Sequence, residues 1–137
     1  MSSSGRLTLT VVTPERSVVE RVPCDAVSLP GELGELGILP GHRPLVSLLA
    51  VGRVTWTDAG RKTSVAVRGG FAEVADDAVR VLADLAAERD AIDAAGTREE
   101  IGAGDARRLA VVGQEQLDAV NADIAFAEAK LAVAQGG

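Results

Sequence analysis

Between residues 7 and 85, apolar side chains recur at every second position. In "LTLTV", Leu7, Leu9 and Val11 share one face of an extended chain. Val54 and Trp56 repeat the pattern, as do Thr63, Val65 and Val67, then Val79 and Val81. A period of two puts successive side chains on opposite faces of a strand, one of them toward a core. Turn formers punctuate the runs: Thr13-Pro14, Pro30-Gly31, Asp58-Ala59-Gly60 and Asp76-Asp77. Short strands at intervals of roughly 8–12 residues predict an antiparallel β-sandwich or flattened barrel.

The period changes near residue 86. From there to 135, alanine and charge dominate and proline is absent. In 113–135, Leu117, Val120, Ile124, Ala127, Leu131 and Ala134 follow steps of three and four, which places them on one stripe of a helix. Residues 94–109 predict a weaker helix, since Gly96, Gly102 and Gly104 each cost about 0.5–1 kcal/mol relative to alanine. Gly113 separates the two. The expected α+β organisation is a disordered start at 1–6, a sandwich at 7–85 and a C-terminal two-helix hairpin at 86–137. The hairpin's large apolar residues are few, and backbone ordering costs roughly 1–2 kcal/mol per residue. The hairpin is therefore expected to lean on the sandwich or on a partner.

Composition narrows the picture. Of 137 residues, 47% are hydrophobic but only 2% aromatic, so the core is aliphatic and the sole Trp, Trp56, is assigned to it. A net charge of −6 without a basic run argues against nucleic-acid binding. Cys24 has no partner for an internal disulfide, which suits a reducing compartment, and reads as an inert small hydrophobe. No apolar stretch approaches the ~18 residues of a membrane span. The start "MSSSGR" lacks a secretion signal's apolar segment, so a cytoplasmic placement is expected. One His and one Cys do not make a metal-ligand set, and no cofactor is expected.

Candidate chemistry concentrates in "GELGILPGHRPL", residues 34–45. Gly and Pro residues surround a short apolar run, with Glu35 and the only histidine, His42. The stretch reads as a loop, and its two polar side chains form either a general acid/base pair or the contacts of a docking surface. A missing second His, a missing Tyr and no Ser or Cys nucleophile in a recognisable context weigh against catalysis. The glycines lack the Lys-Ser/Thr ending of a phosphate-cradling loop. Gly69-Gly70 reads as a bulge or a close backbone approach.

These stretches together resemble the epsilon subunit of bacterial F-type ATP synthase. The likeness runs through "LTVVTPER" (9–16), "SLPGELGELGILPGHRPLV" (28–46), Gly52 and "VRGGFAEVADDAVRVLAD" (67–84). It implies a non-catalytic piece of the central rotor stalk. The sandwich would meet the gamma subunit on one side and the polar loops of the membrane c-ring at its lower end, with Glu35 and His42 at those contacts. The hairpin would touch the alpha and beta subunits of the catalytic head transiently, and the chain would sit on the cytoplasmic face of the bacterial plasma membrane, reaching it only through the complex. In the family the hairpin folds against the sandwich or extends to inhibit ATP hydrolysis, and an Ile/Leu-Asp-x-x-Arg-Ala motif binds ATP in some members. Here Ile92 and Asp93 are kept, while Gly96-Thr97 replace Arg-Ala. The second helix carries Glu115, Asp118, Asp123 and Glu128 against Lys130 alone. Weak ATP binding and mild inhibition are the expectation. Two other classes stay open: a sandwich module with a small ligand, and a hydrolase that turns over unaided.

Overall fold

A computed structural model describes residues 5–136. Among them, ten strands precede two helices: β1 (Leu7–Val12), β2 (Ser17–Cys24), β3 (Ala26–Gly31), β4 (Gly34–Ile38), β5 (Leu45–Leu48), β6 (Gly52–Asp58), β7 (Arg61–Arg68), β8 (Phe71–Ala75), β9 (Ala78–Leu82), β10 (Leu85–Glu88), α1 (Ala94–Arg108) and α2 (Gln114–Ala134). The strands form two five-stranded sheets, in the orders β2-β1-β9-β8-β5 and β10-β7-β6-β3-β4. The alternating residues face each other between them. Leu7, Leu9, Val11, Val79 and Val81 from the first sheet and Val27, Leu29, Val54, Trp56, Val65 and Val67 from the second share one buried cluster. Complete burial of such a side chain contributes roughly 1.5–3 kcal/mol, so this aliphatic layer dominates the stability of the sandwich.

The sheets stay separate. An isolated bridge, Gly31 to Leu49, links them, so the fold is an open sandwich rather than a closed flattened barrel. Nor is it wholly antiparallel: β1 and β9 run parallel, from Thr8 beside Ala78 to Val12 beside Leu82. Between them the chain passes through both sheets, with β2, β5 and β8 in the first and β3, β4, β6 and β7 in the second. The start expected to be disordered lies largely outside the described residues. Within them, Arg6 pairs with Asp58 and, at 3.5 Å, with Asp25.

The helical grammar read from residue 86 begins later than expected. Ala86, Ala87 and Glu88 continue β10 and pair with Val67, Ala66 and Val65 of β7. Arg16 holds this edge through two hydrogen bonds to the Glu88 carboxylate, at 2.8 and 2.6 Å. Small residues suit the position, because α2 lies over it. Ala66 on the outer face of β7 packs with Ala129 and Val133, and Ala87, Ile92 and Phe126 close the contact. This cover explains why Ser64–Val67 is buried on both faces, breaking the strand alternation.

α2 thus has two buried sides rather than one stripe. Ala129 and Val133 meet the sandwich, whereas Ile124 meets α1 at Gly104. A Cβ on Gly104 would lie 2.6 Å from Ile124 Cγ1. The glycine that weakens α1 as an isolated helix is what lets the two helices approach. α1 buries only Thr97 and Gly104, so it is held chiefly through α2. The hairpin leans on the sandwich, as its thin apolar content requires.

Candidate functional site

The stretch expected to be one loop is a strand between two turns. Gly34–Ile38 pairs with β3 along its length, from Gly34 opposite Gly31 to Ile38 opposite Val27. Glu35 and His42 therefore lie at opposite ends of β4. No hydrogen bond or ion pair joins them, so no acid/base pair forms. Glu35 Oε1 accepts from Ser28 Oγ at 2.9 Å across the ladder. It opens on a polar groove of about 520 Å³ on the outer face of the second sheet, with Arg53, Thr55 and Lys62.

His42 belongs to a tight turn. Leu39 O accepts from His42 N at 3.1 Å. Pro40 presets its own φ, and Gly41 at φ 85° supplies the positive angle of a type II turn. The imidazole Nδ1 donates to Arg43 O at 2.7 Å, leaving Nε2 for any further contact. The central N–H, that of Gly41, donates to Asp77 Oδ1 at 2.7 Å. Asp77 sits in the β8–β9 turn, where Asp76 and Asp77 both take left-handed angles, φ 51° and 60°. Asp77 is only 7% exposed, and its Oδ2 is buried without a hydrogen-bond partner. The left-handed angle costs a non-glycine residue about 1–2 kcal/mol and an unpaired buried oxygen about 1–3 kcal/mol. The sequence marked this pair as a turn and nothing more. The available signal was an Asp where such a turn ordinarily holds Gly.

An apolar surface was not foreseen either. On the outer side of the first sheet, Leu48, Phe71 and Leu82 stand side by side in register, each at least 40% exposed. Val46 lies further along β5, and Leu33 is fully exposed at the tip of the β3–β4 turn. That turn and β5 border a largely apolar groove of about 490 Å³, which includes Leu36 and Leu45. A solvated sheet face carries polar residues in alternation, so an exposed apolar row is a surface suited to being covered.

The third feature is where hairpin and sandwich meet. Asp123 of α2 accepts from Arg68 of β7 at 2.6 Å and from Arg107 of α1 at 2.9 Å. Those two hydrogen bonds, Arg107 first, hold the Asp123 carboxyl below the usual range. Lys130, the single base of α2, is occupied: it pairs with Glu100 at 3.0 Å and lies 5.1 Å from the Phe126 ring centre.

At the retained half of the nucleotide motif, Ile92 packs into the hairpin contact. The carbonyl of Asp93 accepts from the Thr97 N–H and hydroxyl, at 2.8 and 2.7 Å. The missing side chain of Gly96 makes room for the Asp93 carboxylate, which a Cβ would approach to 2.7 Å. The position of the motif's arginine thus carries no side chain and has a carboxylate beside it. Cys24 is buried, and burial pushes its thiol pKa up, as an inert core residue requires. Among the described residues, no three His, Cys, Asp or Glu side chains gather to hold a metal. No helix there is long and apolar enough to cross a membrane.

Residues 6–89 match the family described as ATP synthase, Delta/Epsilon chain, beta-sandwich domain. The ATP synthase epsilon chain of Solibacter usitatus is 40% identical over 129 residues, which cover 93% of this chain and 95% of that one. The epsilon chain of an Anaeromyxobacter species is 39% identical over 129 residues, covering 93% and 97%. Among solved structures, a chain of the Euglena gracilis mitochondrial ATP synthase, OSCP/F1/c-ring in rotational state 1, superposes with a TM-score of 0.79 at 22% identity, over 96% of this chain and 82% of that one. A chain of the Tetrahymena thermophila mitochondrial ATP synthase central stalk and c-ring gives a TM-score of 0.60 at 10% identity, over 93% and 96%. The structural likenesses bear on the fold, and the closer sequence relatives on the family. The chain belongs to the ATP synthase epsilon chain family, whose members are non-catalytic subunits of that complex.

Proposed function

We propose that the chain is a rotor subunit of an ion-translocating F-type ATP synthase, peripheral on the cytoplasmic face of the membrane, and that it couples rotation of the c-ring and gamma subunit to ATP synthesis. The observation that carries this reading is the apolar row Leu48, Phe71 and Leu82 with Leu33 beside it. A subunit working alone gains nothing from that surface, whereas a stalk subunit covers it with a partner. The gamma subunit is the occupant the family suggests. Glu35 and His42, at opposite ends of β4, add directed polar contacts toward gamma and the c-ring. Both stand on a strand and a turn whose backbones are already fixed, so little conformational entropy is lost on docking. The hairpin, packed against the sandwich through a small apolar contact and one ionic contact, is the part free to leave and reach the alpha and beta subunits.

The test is rebinding to ATP synthase depleted of this subunit. Leu48→Asp combined with Phe71→Asp places two charges in the apolar row. Central apolar anchors are worth about 2 kcal/mol or more each, so affinity should fall about 1,000-fold while the free full chain melts as before. Rebinding at native affinity with normal coupled synthesis would refute the docking surface.

A further inference from the structure

We propose that Asp77 is the positioning residue of the His42 turn: its carboxylate ties the turn to the first sheet and so fixes where on the sandwich His42 is presented. The inference deepens the docking reading and rests on it.

The β8–β9 connection has two residues, both with positive φ, for which Asn-Gly or Asp-Gly is the unstrained choice. This chain has Asp in the second place. Gly there would close the same hairpin, so what Asp adds is its side chain. That side chain turns inward, where Oδ1 takes the Gly41 N–H at 2.7 Å. The backbone of the same residue is anchored as well: Asp77 O accepts from Thr8 N at 2.9 Å, at the start of β1. A strained, buried residue fastened to the first sheet thus holds one atom of the loop that carries His42.

The atom held is the informative one. Type I and type II turns differ by a flip of their central peptide plane. In Leu39-Pro40-Gly41-His42 that plane carries the Gly41 N–H. An acceptor fixed on one side of the turn favours one of the two orientations, here the one with Gly41 at φ 85°. Without the acceptor the plane is free to flip and the turn loses its tie to the β8–β9 connection; the flip itself barely moves the flanking Cα atoms, so what is lost is the loop's fixed place against the first sheet. The bond from His42 Nδ1 to Arg43 O then holds the ring relative to its own backbone but no longer relative to the sandwich.

The full chain is compared as wild type, Asp77→Gly, Asp77→Asn and His42→Ala. Glycine relieves the left-handed strain, so Asp77→Gly should melt no lower than wild type. Its Gly41 amide should nonetheless exchange about tenfold faster, and its affinity for ATP synthase depleted of this subunit should fall by up to about fivefold, no more than that of His42→Ala. Asparagine keeps the Oδ1 acceptor and should stay within about twofold of wild type on both measures. Unchanged Gly41 exchange in Asp77→Gly overturns the proposal. So does a lower melting point that asparagine fails to restore, which would make Asp77 a structural residue only. If His42→Ala weakens rebinding and Asp77→Gly does not, the positioning role falls and the docking reading stands. If His42→Ala rebinds as wild type, the docking role of His42 falls, and the presentation role of Asp77 with it.

Discussion

Replacing Asp123 tests whether the hairpin is held to the sandwich by charge or by packing. The carboxylate has two partners with different meanings. Arg107 lies on α1, so that bond tightens the hairpin wherever the hairpin goes. Arg68 lies on β7, so only that bond distinguishes the docked hairpin from a released one. The Asp123 side chain is 38% exposed and that of Arg68 30%, which leaves the pair partly screened by water. An exposed pair contributes roughly 0.2–1 kcal/mol, and this geometry belongs near the top of that range, at about 1 kcal/mol. With RT near 0.6 kcal/mol, losing it should shift the docked-to-released ratio about fivefold toward release. The packing of Phe126, Ala129 and Val133 on Ala66 remains and keeps the chain folded.

The assay is energy transfer between dyes placed at Asp84 on the sandwich and Val112 at the hairpin tip, both exposed. Asp123→Ala and Arg68→Ala should lower the transfer equally, and the double substitution should add little to either. Arg107→Ala should lower the hairpin's thermal stability while leaving docking nearly unchanged. Salt should act in the same direction, since screening shortens from about 8 Å at 0.15 M to about 3 Å at 1 M. The sign with pH follows from the lowered folded pKa. The contribution is complete above the unfolded value near 4, and it is lost as pH falls through the folded one. Neutral and mildly acidic solutions should therefore show no change. Equal docking in wild type and Arg68→Ala, or a loss of docking between pH 7 and 6, would refute the ionic contact.

Gly104→Ala should destabilise the hairpin by about 1–3 kcal/mol through overpacking against Ile124, despite alanine's better helix propensity; a hairpin that melts higher would overturn the close-approach argument. Glu35→Ala and His42→Ala should each weaken coupling between ion flow and ATP synthesis by about 1 kcal/mol or less, and together by more than either. Normal synthesis in the double variant would reject their docking role. Truncation after Ala91 should leave a folded sandwich that joins the complex and raises ATP hydrolysis only mildly, whereas truncation after Leu85 strips β10 from β7 and should melt lower, a difference that thermal unfolding reads directly. Calorimetric titration of the isolated chain with ATP should show no micromolar binding, because Gly96 stands where the motif's arginine would and offers a phosphate no charged donor.

What was legible in the sequence depends on how local each cause is. β1, β6 and β9 were readable because one face is dry and the core aliphatic, so Leu7, Leu9, Val54, Trp56 and Val79 mark themselves by period alone. The break between the two helices was readable for another local reason, since glycine at 113 interrupts a helix by itself. β4 was hidden because Gly34, Gly37, Pro40 and Gly41 speak for a turn, while the ladder to β3 that overrides them is a partner's property. β10 was hidden because Ala-Ala-Glu has helical propensity, and only pairing with β7 under α2 makes it a strand. The parallel pairing of β1 with β9 joins residues about seventy positions apart, which no window of the sequence spans.

The two carboxylates that organise the candidate site share this non-locality. Asp77 reaches Gly41 across 36 positions and Asp123 reaches Arg68 across 55. Yet each leaves a local trace. Asp77 occupies a left-handed turn position that glycine would fill without strain, and Asp123 adds a negative charge to a helix that already carries Glu115, Asp118 and Glu128 against one lysine. A residue that runs against its local setting is held there by something distant. In this chain the distant things are the His42 turn and the face of β7, where docking and hairpin release are decided in the proposed function.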